Sequence, residues 1–184
     1  LTNDYINAMG RAGYGGIPLQ RLIEMRHLGV TPEYAAQMRE QGFDNLTPEK
    51  LVSLRALGVS AEFAKEAQNW GFGKFNAEQL IEIKALGITP EYARQMKALG
   101  FDALSLNNLV ELKSLGVNET YVKEMRSLGF DKLSPEQLIE MKALGVTPEY
   151  VKKMRAAGLK NVSVNQLIEL KATGMDKILT KENR

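Results

Sequence analysis

Glycine recurs at positions 13, 29, 42, 58, 71, 87, 100, 116, 129, 145, 158 and 174, at steps that alternate between 16 and 13 residues. A period of 29 residues maintained along a chain marks a repeat architecture, in which each unit is one supersecondary element that buries its apolar face against its neighbours. Thr2 to Met175 accommodates six copies, at 2–30, 31–59, 60–88, 89–117, 118–146 and 147–175, and leaves 176–184 as a C-terminal tail. Each copy divides into a 13-residue half, such as TPEYAAQMREQGF from Thr31, and a 16-residue half, such as DNLTPEKLVSLRALGV from Asp44. The second half is the first with a three-residue connector in front.

Both halves carry helix punctuation. Thr31, Thr89 and Thr147 stand where a hydroxyl caps a helix N-terminus, each followed by proline at the first helical position. In the longer half, Ser134 with Gln137 and Ser163 with Gln166 have the spacing of a capping box. Each repeated glycine suits the left-handed residue that ends a helix, and the apolar residue after it can touch one four places before it. The expected fold is all-α: a solenoid of six two-helix repeats, about twelve short helices in all, each too short to persist alone. Leu1 has the register of Val30 and Val59, so a further unit is expected ahead of it.

At 100° per residue, Tyr34, Ala35 and Met38 share a narrow arc on the first helix of a copy, with Gln37 and Glu40 opposite. The second helix is broader: Leu80, Ile81, Ile83 and Leu86 cover more than half its circumference, which calls for several neighbours. The recurring aromatics, Tyr5, Tyr34, Phe63, Tyr92, Tyr121 and Tyr150 in one register and Tyr14, Phe43, Phe72, Phe101 and Phe130 in another, fall on faces expected to be buried. A stacking platform for bases would need them outside. Trp70 differs, because its position holds Ala12, Gln41, Leu99, Leu128 and Ala157 elsewhere; it is a candidate anchor for a partner.

Arg26, Arg55, Lys84, Lys113, Lys142 and Lys171 form a row of cations, and Arg39, Lys97, Arg126 and Arg155 form a second. Each lies three residues before a glycine, in the last helical turn, where a cation offsets the helix dipole by about 0.3–1 kcal/mol. The first turns hold Glu33, Glu62, Glu91 and Glu149, so one electrostatic cause covers both ends. The rows could alternatively follow a phosphate backbone. LIEMKALGVTPEYVKKM loosely resembles a helix-hairpin-helix unit, but it lacks the second hairpin glycine and puts Glu149 where phosphate would approach. A formal charge of +2 from 24 basic and 22 acidic residues points the same way, so nucleic acid is disfavoured as a partner.

Catalytic signals are missing. There is no cysteine, and His27 is the one histidine, at a position where other copies carry Ala or Ser. That leaves neither a metal-ligand set nor a nucleophile with its base, so no cofactor, no metal and no enzymatic activity are expected. GRAGYGG, Gly10 to Gly16, lacks the Lys and Ser/Thr of a phosphate loop and reads as a loosened end unit. Glycosylation sequons at Asn45, Asn118 and Asn161 arise from asparagine beside helix-capping residues. No apolar run approaches the roughly 20 residues of a membrane span, so no membrane insertion is expected.

LSPEQLIEMKALGVTPEYVKKMRAAGL, Leu133 to Leu159, resembles tandem repeats in C-terminal regions of BlaR-type membrane-embedded metallopeptidases of bacteria. The resemblance implies a bacterial source and a sensory or regulatory appendage, by extension on the extracytoplasmic part of a membrane protein. It carries over no catalytic residue, since the HExxH zinc motif is absent. Repetition without a reactive cluster points to a non-enzymatic module binding a protein or peptide, with a mechanical spacer as the alternative. The candidate partner-binding residues are Trp70 and the outward, variable positions Lys65, Arg94, Lys123 and Lys152.

Overall fold

The computed structural model describes residues 1–101 and 104–179. Among them the secondary structure is entirely helical, with thirteen α-helices and no strand. The chain divides into two compact units, Leu1–Pro90 and Glu91–Arg184.

The first unit contains α1 (Asn3–Met9), α2 (Leu19–His27), α3 (Pro32–Glu40), α4 (Pro48–Ala56), α5 (Ala61–Ala67) and α6 (Ala77–Ala85). Within it the first helices of successive copies touch in order, α1 on α3 on α5, and the second helices do the same, α2 on α4 on α6. The second unit contains α7 (Pro90–Ala98), whose first residue closes the preceding unit, then α8 (Leu106–Ser114), α9 (Glu119–Ser127), α10 (Pro135–Ala143), α11 (Pro148–Ala156), α12 (Val164–Thr173) and α13 (Asp176–Leu179). Here α8, α10 and α12 stack in order, α9 touches α11, and α13 folds against α12. The tail thus begins with one further helical turn.

The helix ends follow from local chemistry. The side chains of Thr31 and Thr147 accept hydrogen bonds from Tyr34 N and Tyr150 N at 3.1 Å. Ser134 with Gln137 and Ser163 with Gln166 form reciprocal capping boxes, as do Asn76 and Gln79. Each such cap is worth about 0.5–2 kcal/mol. At the other end, Val59 N donates to Leu54 O at 2.9 Å and Gly58 N to Arg55 O at 3.0 Å, the paired bonds of a Schellman ending. The same pair recurs at Val30, Ile88, Val117, Val146 and Leu159. It requires a left-handed residue, and Gly58 has φ +70°. Asn118 is itself the cap of α9 and Asn45 takes φ +59°, so two of the three sequon asparagines serve backbone geometry.

Within each unit small apolar clusters recur copy by copy. Tyr34, Ala35 and Met38 are buried on α3, and Tyr121, Val122 and Met125 on α9. On the second helices, Leu80 and Ile83 are fully buried, as are Leu138 and Met141. Their flanking residues Ile81, Leu86, Ile139 and Leu144 are only half-buried, so the broad apolar surface of these helices is not covered on every side.

Candidate interaction surface

A tyrosine from the first helix of a copy closes that copy. The hydroxyls of Tyr5, Tyr34 and Tyr92 donate to the carbonyls of Val30, Val59 and Val117, each at 2.8 Å, and Tyr121 donates to Val146 O at 2.7 Å. The acceptor is the residue after the glycine that ends the second helix, so the hydrogen bond holds the copy shut across 25 residues. Burial pushes the phenols of Tyr34, Tyr92 and Tyr121 up to about 12, because the charged phenolate loses its water there.

The first row of cations covers the same rings. The Arg26 and Arg55 guanidinium carbons lie 5.2 and 5.1 Å from the ring centroids of Tyr5 and Tyr34. Lys84, Lys113, Lys142 and Lys171 place their Nζ atoms 4.2, 4.8, 4.5 and 4.4 Å from the rings of Phe63, Tyr92, Tyr121 and Tyr150. A cation–π contact contributes about 0.5–1 kcal/mol at exposed sites, the same order as the dipole effect. The dipole explains why a cation occupies the last turn; the ring beneath it explains why an aromatic always stands 21 residues earlier.

The second row joins one copy to the copy before. Arg39 Nη2 donates to Ala12 O at 2.7 Å, Arg126 Nη2 to Leu99 O at 2.5 Å and Arg155 Nη2 to Leu128 O at 2.6 Å. Those carbonyls belong to the helix end of the preceding copy. Arg126 and Arg155 also lie over the rings of Phe101 and Phe130 at 5.8 and 5.5 Å. The first row therefore lies over rings and the arginines of the second meet backbone carbonyls, roles that periodicity by itself did not separate from phosphate tracking.

Trp70 stands in a copy that departs from this plan, with Phe63 in the tyrosine register and Gln68 in the arginine register. Its ring meets Phe63 and Phe75 edge to face, with centroids 5.9 Å away in each case. It is half-buried, one side packed into the copy and the other at the surface. Lys65, Arg94, Lys123 and Lys152 are all exposed, Lys65 in the first unit and the other three in the second. Arg94 pairs with Glu91 and Lys123 with Glu119 along their own helices, both at 2.6 Å. Such solvent-exposed pairs add little stability.

Acidic groups guard the helix starts. The carboxyls of Glu33, Glu49 and Glu62 are held below their usual range, each first by a hydrogen bond to its own backbone N–H and next by the cap hydroxyl. These anions occupy the positions where a phosphate would use free N–H groups. Among the described residues no three His, Cys, Asp or Glu side chains gather as metal ligands, and no helix is long and apolar enough to cross a membrane. His27 is exposed. The glycine-rich stretch forms a widened turn, Gly10–Tyr14, pinned by Tyr14 donating to Leu46 O at 3.0 Å. Comparison of the chain with family models, with curated proteins and with solved structures gave no significant match.

Proposed function

We propose that the chain is a non-enzymatic recognition module, an α-solenoid that offers the outer surface of its short helices to a protein or peptide. One observation carries this reading: the recurring tyrosines, the first cation row and the second-row arginines are engaged within the molecule, while the register of Lys65, Arg94, Lys123 and Lys152 is exposed. The tyrosines close copies, the first cation row covers their rings, and arginines of the second row fasten neighbours. The outward register holds Ala36, Lys65, Arg94, Lys123 and Lys152, a set with no common structural duty. Variation at exposed sites on a constant frame is how repeat proteins acquire distinct binding surfaces.

The acidic helix starts and the balanced charge weigh against nucleic acid. The resemblance to repeats of BlaR-type proteins is compatible with a sensory or regulatory setting. Affinity capture with the immobilised chain tests the reading: a protein or peptide is retained by the native chain and lost by the quadruple variant Lys65→Glu, Arg94→Glu, Lys123→Glu, Lys152→Glu. Retention of DNA with a steep salt dependence, and of no protein, would reverse it. A mechanical spacer is distinguished by exchange of the array for an unrelated rod of equal length, which a spacer tolerates and a recognition surface does not.

A further inference from the structure

In the second cation row an arginine fastens one copy to the copy before, and one junction inside the first unit lacks it. Arg39, Arg126 and Arg155 each reach back 27 residues to a helix-end carbonyl. The same count from Gln41 arrives at Gln68, a glutamine in the arginine register. Its side chain turns to its own copy, where Oε1 accepts from Phe75 N at 3.0 Å. Among the described residues no hydrogen bond reaches Gln41 O. Between the two copies lies a cleft of about 450 Å³, lined by Gln41, Gly42, Gln68, Gly73, Lys74 and Phe75.

The complete junctions show what such a place accepts. The Nε atoms of Arg126 and Arg155 are buried, so these guanidinium groups sit inside the protein, against a helix-end carbonyl and over the rings of Phe101 and Phe130. Phe43, in the register of those rings, is already buried, so recognition at this junction falls to oxygen acceptors. Gln41 is the C-cap of α3, where the negative end of the helix dipole adds to its carbonyl. The Gln68 carboxamide oxygen keeps a second lone pair besides the one given to Phe75 N. A planar fork of N–H donors suits two such oxygens. Lys74 opposes a cation, yet its counterpart in the copy of Arg126 is Lys132, and the loop after Arg155 carries Lys160. A lysine in this loop is therefore compatible with a guanidinium at the junction.

We propose that this cleft binds an arginine side chain of a protein or peptide partner, whose guanidinium donates to Gln41 O and Gln68 Oε1. The partner's arginine takes the part that Arg126 and Arg155 play at their own junctions. Such a partner is the one that the recognition module described above binds, and the site rests on that reading for the source of the arginine.

Amide chemical shifts of the full chain, titrated with N-acetyl-arginine methylamide and with its uncharged citrulline counterpart, test the site without any partner. The arginine compound is expected to shift Gly42, Gln68 and Phe75 saturably and to bind at least tenfold more tightly than citrulline, about 1.4 kcal/mol. Gln68→Arg supplies the chain's own guanidinium, and should raise the melting temperature while abolishing these shifts. Lys74→Ala, at an exposed position, removes the opposing charge and should tighten binding. No saturable shift, an equal response to citrulline, an undiminished response in Gln68→Arg, or weaker binding by Lys74→Ala would overturn the site. Capture through Lys65, Arg94, Lys123 and Lys152 involves none of the lining residues, so the two readings fail separately.

Discussion

The copy at 60–88 and the copy at 118–146 close the same two-helix unit with different chemistry. The second uses Tyr121, whose hydroxyl reaches Val146 O, and Arg126, which reaches back to Leu99 O. The first has Phe63 and Gln68 at these places. Without the hydroxyl and the guanidinium, α5 stops at Ala67, two residues short of the other first helices in full copies. Gln68 Oε1 instead accepts from Phe75 N at 3.0 Å, and Trp70 packs between Phe63 and Phe75. Directional tethers have been exchanged for aromatic area. Trp70 thus belongs to a set of substitutions that make sense together.

The largest test of this difference is Trp70→Ala. It removes the centre of the aromatic cluster and is expected to cost about 3 kcal/mol, read from the urea midpoint, while Leu128→Ala at the matching site costs about 1 kcal/mol. Equal losses would mean that the two copies are fastened alike. Helix punctuation, by contrast, is common to both. Gly87→Val and Gly145→Val meet open space, but at φ +62° and +74° each should lose more than about 1 kcal/mol through backbone strain. An unchanged melting temperature in either variant would break the Schellman assignment there.

Next in size is Tyr121→Phe, which leaves Val146 O without its partner and is expected to cost about 1 kcal/mol. The pH profile sharpens the point. The phenols of Tyr34, Tyr92 and Tyr121 ionise near 10 when unfolded and are held up to about 12 when folded. The unfolded chain therefore releases protons first. The stability these groups hold is complete below pH of about 10 and drains as the pH climbs toward 12. Denaturant midpoints measured across that window should fall less steeply in Tyr121→Phe than in the native chain. Phe63, with no hydroxyl, adds nothing to this slope. The smallest effects belong to the outward register: Lys65→Ala and Lys123→Ala should each change stability by less than about 0.5 kcal/mol, whatever they do to binding.

The helices were legible because their signals are local. A cap, a proline at the first position and a glycine stop act within a few residues, and the structure uses them as read at Thr31, Ser134 and Gly58. What joins the helices was not legible in the same way. A cation in the last turn meets the dipole and a ring at once, so Arg55 recurring beside Tyr34 could not say which cause mattered. The capping box at Asn76 was missed because asparagine replaces the serine of its counterparts. For Trp70 a signal existed: one copy changed Tyr to Phe, Arg to Gln and Leu to Phe together, and correlated changes within a copy mark residues in contact.

The arginines that reach back across 27 residues give the array a direction in time. The carbonyls of Ala12, Leu99 and Leu128 are already in the chain when Arg39, Arg126 and Arg155 are still to be added. Each of these helix ends consequently depends on a residue of the following copy. Tyr5 likewise waits for Val30, but within its own copy. The bond that closes the copy at 2–30 is complete within residues 5–30, whereas the bond that fastens it needs Arg39, so closure is local to a copy and fastening is not.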